Sequence, residues 1–193
     1  MSVATAEVSQ VLRVGVSRCL LGDRVRYDGR HKWFPGLQAE LARLHLQAVP
    51  VCPEVEAGLG VPRPPMQLVR RDGGTRLMEA GAPHADRTDV LTRAARRLAG
   101  LDEISGFILK SGSPSCGLDV PVFDAWGLEV ARDEGLFVQC LRAGRPGLPI
   151  IDEIRWADRK QRLLFLEAVK RYAAPDPQSC PPDGAGTIAG ADA

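Results

Sequence analysis

The sequence lacks any C-x-x-C pair, any G-x-x-x-x-G-K-S/T or G-x-G-x-x-G run, any long apolar stretch and any surplus of one charge. Without C-x-x-C, a thioredoxin-like redox pair and the usual structural zinc site are both disfavoured. "GLG" at 58–60 is too short to stand for a dinucleotide fingerprint, so a plain nucleotide-binding module is the weakest reading. Lys plus Arg (25) nearly cancels Asp plus Glu (24). That balance removes the basic field behind sequence-independent nucleic-acid binding and argues against a large RNA as partner. The opening "MSVATAEVSQV" has neither a basic n-region nor an apolar h-region, and no run reaches the about 18 to 20 apolar residues of a membrane span. A soluble, cytoplasmic protein with no membrane partner is expected. Five cysteines, an odd number without an export signal, argue against a disulfide framework and leave thiol, metal or catalytic roles.

What is present is ordinary globular material: 193 residues, 45% hydrophobic and 25% charged, suited to one domain. "VLRVGVS" (11–17) reads as a first strand and residues 18–35 as a long loop. "GLQAELARLHLQ" (36–47) places Leu37, Leu41 and Leu44 at helical spacing, and "AVPVCPE" (48–54) follows as a short buried strand. Four prolines and two glycines forbid regular structure over most of 53–68, and "MQLVRRDGGTRLMEA" (66–80) predicts a hairpin about Asp72, Gly73 and Gly74. A helix from Pro83 to Gly100 carries Val90, Leu91, Ala94, Ala95 and Leu98 on one stripe. "ISGFILK" (104–110) is a further buried strand, and helices are expected near 133–143 and 156–172, the latter with Leu163, Leu166, Val169 and Tyr172 on one face.

The predicted architecture is α/β and Rossmann-like: a single domain over 12–173, its mostly parallel sheet covered by helices on both faces. Residues 1–11 are expected to be a flexible N-terminus and 174–193 a disordered tail of Pro, Gly, Ala and Asp.

Three cysteines stand at strand exits: Cys19 after "VLRVGVS", Cys52 at the end of "AVPV", Cys116 just beyond "GFILK". The carboxyl ends of parallel strands face one edge, where ligands bind, so these thiols are expected to meet at a site there. Cys140 and Cys180 have no such placement. For a single cysteine, packing as a small apolar group is the ordinary explanation, but three at successive exits fit a site better. A papain-like thiol is poorly served, since of His31, His45 and His84 only His31 lies in a loop near a motif. A cubane iron-sulfur cluster on three cysteines leaves one iron open as a Lewis acid.

"SRCLLGDRVRYDG", "VPVCPEVEAGLGVPRPP" and "LKSGSPSCG" resemble the three signature segments of the thiouracil desulfurase-type family, over about residues 12–155. The resemblance implies that Cys19, Cys52 and Cys116 bind a 4Fe-4S cluster whose open iron takes the sulfur of a thiolated nucleobase. It departs where Gly112 stands for the usual Arg, where "VEAGL" replaces a Gly-Gly-Leu type of run, and where "LDVPVFDAWGLEV" replaces a Tyr-Asp-Gly segment. These positions border the substrate more than the ligands. The second domain of some relatives is expected to be absent.

Desulfuration by water needs a base, for which Glu54 and Asp28 are the candidates, with Ser113 as a further catalytic group. Asp28 in "YDG" also fits an ordinary turn, and Glu54 an ordinary loop acid. Ser17, Ser115, Lys110 and Arg63 are candidate substrate-binding residues; Lys110 fits a snorkelling surface lysine equally, and Arg63 fits pairing with an internal carboxylate. The expected partner is a small thiolated base or nucleoside, with cluster-assembly or sulfur-acceptor proteins behind it. A non-enzymatic iron-sulfur or metal carrier is the alternative, and it would need the cysteines but not Glu54.

Overall fold

The computed structural model describes residues 11–81 and 85–174. The Val-rich β1 (Leu12–Ser17) buries its last four residues and runs into a 3-10 turn, Arg18–Leu21, closed by Gly22 at a left-handed φ of 104°. Cys19 therefore sits in a helical turn, where an open loop was expected. The helix α1 (Leu37–Arg43) is shorter than its leucine spacing suggested: Leu44 is exposed, and His45 at φ 55° swings the chain into β2 (Leu46–Val51). The pattern "LHLQAV" satisfies both periods, and the strand wins because it buries Leu46 beside β1. Cys52 caps the one-turn helix α2 (Pro53–Glu56), which was not expected in so proline-rich a stretch. Pro53 at the first helical position is already shaped for it.

The hairpin of β3 (Met66–Arg71) and β4 (Gly74–Glu79) forms as read, with Asp72 and Gly73 both at positive φ. α3 (Thr88–Ala99) begins later than expected; Pro83 lies outside the described residues. Its stripe of Leu91, Ala94, Ala95 and Leu98 is buried. β5 (Ile104–Leu109) is buried throughout. Two short strands that periodicity did not reveal, β6 (Val120–Phe123) and β7 (Glu129–Asp133), precede α4 (Leu136–Gly144). β8 (Ile150–Asp152) was missed as well, and the expected single last helix is two, α5 (Glu153–Ala157) and α6 (Arg159–Ala173). Asp158 separates them with extended backbone and caps α6 by accepting from Gln161 N at 2.8 Å. α6 consequently buries Phe165 and Val169 and leaves Leu163 exposed. The expected disordered tail, Cys180 included, lies outside the described residues apart from Ala174, and the N-terminal segment lies outside apart from Val11.

The parallel sheet has the order β2-β1-β5-β8, with α1, α5 and α6 contributing to the core on one face and α3 and α4 on the other. The expected parallel sheet with helices on both faces is present, and a second sheet adjoins it. β4-β3-β6-β7 form a second, mixed sheet with its own small core of Leu68, Leu77, Leu91, Val120, Val122 and Leu136. The hairpin pairs with β6 rather than extending the first sheet.

The parallel sheet reverses its strand order between β1 and β5, which makes their carboxyl ends a switch-point crevice. Register there is set by a bulge: Arg13 pairs with Ile104 but Gly15 with Phe107, so two residues of β5 oppose one of β1. Ile104 and Phe107 thereby reach the same core. Gly15 is what lets Phe107 lie flat across β1, since a Cβ there would stand 2.2 Å from the ring.

Candidate functional site

At the carboxyl edge of the parallel sheet lies a cavity of about 460 Å³. Its lining includes Cys19 from the turn after β1, Cys52 from the end of β2 and Cys116 from the loop after β5. Three segments distant in sequence meet here because three parallel strands end side by side. The thiols are 8%, 7% and 4% exposed respectively. Cys140 lies instead beside α3 on the other flank of the sheet, partly buried.

Burial, and after it the charge of Glu54, pushes the Cys19 thiol up to about 11 and the Cys52 thiol up to about 12. Cys116 is raised well above its ordinary value, by burial first and then by Glu54, Cys52 and Cys19, against a hydrogen bond from Ser17. Cys116 thus feels the other two sulfurs, and without a cation between them the three are thiols at neutral pH. Among the described residues no three His, Cys, Asp or Glu side chains converge to hold a single metal ion. A cluster is a different fit. Each cysteine of a cubane binds its own iron, so the ligands ring a void rather than share a point. Three buried cysteines around one cavity match that demand, and iron charge would supply the ionisation that burial opposes.

Glu54 follows Cys52 into α2 and is only 7% exposed. Its Oε2 accepts from Cys52 Sγ at 3.4 Å and its Oε1 stands 4.0 Å from Arg63 Nη2. Arg63 donates through Nη1 to the carbonyls of Val25 (3.1 Å) and Gly60 (2.9 Å), and its own N–H to Tyr27 O (2.9 Å). It ties two loops over the cavity while facing Glu54.

The loop to Cys116 is packed without slack. Ser113 Oγ accepts from Ser115 N (3.3 Å) and Cys116 N (3.2 Å), and Gly117 N donates to Ser113 O (2.8 Å). The α4 N-terminus leans on the same loop: Leu136 N donates to Pro114 O (3.1 Å) and Phe137 N to Ser115 O (2.9 Å). These carbonyls satisfy amides that a helix start leaves unpaired. Gly135 makes the contact possible, because a Cβ there would lie 2.5 Å from the Ser115 carbonyl. Ser113 lines the cavity, but Ser115 does not; its hydroxyl is buried without a partner among the described residues.

Ser17 lines the cavity, accepts Lys110 N–H at 3.0 Å and hydrogen-bonds the sulfur of Cys116, so its hydroxyl is engaged by the protein. Lys110 also lines it, with its ammonium turned to Ser111 O (2.8 Å), Ser111 Oγ (2.9 Å) and Glu153 Oε1 (2.6 Å). Those three acceptors use its three protons, which places Lys110 in the wall rather than at a ligand. Asp28 lies off the cavity and exposed, accepting from Arg30 N at 3.1 Å with Arg26 at 3.5 Å, the turn-forming use of Asp-Gly. Sequence reading passed over Ser111, Glu153 and Gly135. Glu153 carried no signal, because β8, which delivers it beside Lys110, is three residues long.

The model of the 2-thiouracil desulfurase family matches residues 14–153. The uncharacterised protein YbbK of Bacillus subtilis (strain 168) is 36% identical over 112 residues, 53% of this chain and 71% of YbbK. A solved structure of the 4Fe-4S-dependent thiouracil desulfidase TudS is 30% identical with a TM-score of 0.60, covering 79% of this chain and 98% of TudS.

Proposed function

From the premise that this chain belongs to the 2-thiouracil desulfurase family, we propose that it removes sulfur from a thiolated nucleobase by water, with Cys19, Cys52 and Cys116 holding a 4Fe-4S cluster. The observation that carries this reading is the meeting of three buried thiols and one buried carboxylate on a single cavity. TudS is a 4Fe-4S-dependent desulfidase. When bound, a cluster with one iron free of protein ligands supplies a Lewis acid for a soft thiocarbonyl sulfur.

The chain's own residues do the rest. Glu54 accepts a proton from water at the cavity wall, where Arg63 at 4.0 Å steadies its charge. The water oxygen adds to the thiocarbonyl carbon, the carbon–sulfur bond breaks, and sulfur leaves as hydrogen sulfide after taking up both protons of that water. No electrons are exchanged overall. Ser113 uses its oxygen to receive two backbone N–H groups and so keeps its own proton to donate into the cavity. The cavity, about 460 Å³ before a cluster enters, suits a small base or nucleoside.

The test is iron and acid-labile sulfide per chain on anaerobically purified protein, followed by conversion of 2- or 4-thiouracil with sulfide release. About four of each per chain is the expectation for a cubane. Protein that stays colourless after anaerobic reconstitution overturns the reading.

A further inference from the structure

Glu153 is the candidate that neither the motifs nor the cysteine geometry accounts for. Its side chain is 13% exposed and that of Lys110 is 17% exposed, at the start of the loop that ends in Cys116. Both carboxylate oxygens are engaged. Oε1 accepts from Lys110 Nζ (2.6 Å) and Ser111 Oγ (2.7 Å), and Oε2 accepts from Ser111 N (2.7 Å). Ser111 Oγ accepts from Lys110 while it donates to Glu153, so the three side chains close a ring.

The topology explains why an acid is needed there. β5 pairs with β8 through Leu109 and Asp152, the last residue of each strand. Ser111 N–H therefore emerges past the last ladder bond with no strand partner, just where the chain leaves the sheet for the cavity. Glu153 supplies the acceptor that the sheet no longer offers. The opposite end of the loop is fixed separately, by Gly117 and Gly135 packed against its backbone. Between these anchors Ser113 Oγ gathers the Ser115 and Cys116 amides, and Leu136 N and Phe137 N of α4 donate to the Pro114 and Ser115 carbonyls.

We infer that Glu153 is a positioning residue: by clamping Lys110 and Ser111 it fixes the entry to the loop that presents Ser113 and Cys116 to the cavity. The link to catalysis rests on the desulfurase reading above, whereas the clamp itself does not. Its consequence is selective. Cys52, held by β2 and α2, is independent of it.

The deciding experiment uses metal-free full-length protein and Ellman's reagent, with labelled cysteines located by mass spectrometry. In Glu153→Gln one of the two acceptor oxygens becomes an amide NH₂, which meets either the Ser111 N–H or the Lys110 and Ser111 side-chain donors, so labelling of Cys116 is expected to accelerate about tenfold or more while Cys52 stays within about twofold. Glu153→Asp, which keeps the charge, is expected to recover part of the wild-type rate. Amide exchange at Ser111 should accelerate in parallel. A merely structural loss would instead speed Cys19, Cys52 and Cys116 alike. Unchanged labelling of Cys116 in Glu153→Gln overturns the inference, as does uniform acceleration of all three. Should Glu153→Gln not fold, Ser111→Ala removes the hydroxyl from the ring and reads the same Cys116-to-Cys52 ratio, an unchanged ratio again counting against the clamp. In iron-loaded protein, turnover per bound cluster should fall with KM little changed. Failure of wild-type protein to take up iron refutes the desulfurase reading but leaves the labelling result intact.

Discussion

Replacing Gly135 by alanine tests whether the Cys116 loop and α4 are wedged as tightly as their contacts indicate. The added Cβ would stand 2.5 Å from the carbonyl carbon and oxygen of Ser115 and 2.9 Å from Cys116 N, all backbone atoms that no rotamer change can move aside. Gly135 has φ −61° and ψ 152°, which alanine adopts freely, so the cost is contact and not backbone strain. Relief requires α4 to withdraw by roughly 1 Å, the shortfall from ordinary carbon contact. That movement stretches three hydrogen bonds, Gly135 N to Gly117 O (2.8 Å), Leu136 N to Pro114 O (3.1 Å) and Phe137 N to Ser115 O (2.9 Å). Each is worth about 0.5–1.5 kcal/mol net, and overpacking alone costs about 1–3 kcal/mol. A loss of about 2–5 kcal/mol follows, a large share of the roughly 5–15 kcal/mol that holds a domain together. Urea unfolding of the metal-free protein measures it, and iron per chain after reconstitution should fall with it. Gly144→Ala is the control, because its Cβ would lie 3.7 Å from Ala99 Cβ in ordinary contact near the end of the same helix. A Gly135→Ala protein as stable as wild type, with full iron, would refute the wedge.

Three further outcomes are expected. Alanine at Cys19, Cys52 or Cys116 should abolish the visible cluster spectrum, while Cys140→Ala, on the far flank, should retain it; visible absorption after reconstitution decides. Glu54→Gln should keep the cluster and lose about 10²–10⁴ in kcat, the range of a general base; a variant without cluster would instead give Glu54 a structural part, and full activity would remove it from the mechanism. At Glu153 burial raises the carboxyl, but the Lys110 ammonium and the Ser111 N–H and hydroxyl outweigh it and leave the group below its ordinary value. A depressed folded pKa stabilises fully above the unfolded value, about 4.3 for Glu, and that contribution disappears as pH falls through the folded value. Urea midpoints of wild type and Glu153→Gln should therefore differ near neutrality and converge in acid, and a pH-independent gap would contradict the clamp.

The site was legible wherever chemistry and strand ends coincide. Cys19, Cys52 and Cys116 each follow a strand with a clear apolar signature, and Glu54 stands two residues beyond Cys52. What stayed hidden depends on tertiary pairing. β8 has three residues and β7 is exposed along most of its length, so neither leaves a period to read, and with them went the second sheet and Glu153. Lys110 and Ser17 sit at the right places, yet their hydrogen bonds run to other protein groups, which no local pattern announces. The break at Asp158 shows the converse case. A cap residue inside an apolar period ends a helix that the spacing alone would continue.

The seat of α4 on the Cys116 loop also has an electrical consequence. A peptide unit carries its C=O and N–H in opposite directions, and here both units flanking Ser115 point their oxygens at the α4 N-terminus and their hydrogens at Ser113 Oγ. The positive end of the helix is thus relayed through two aligned peptide dipoles onto one hydroxyl. Donors converging on an oxygen withdraw electron density from its remaining O–H bond, since hydrogen bonds in series polarise one another. The Ser113 hydroxyl is thereby polarised by a helix none of whose residues line the cavity.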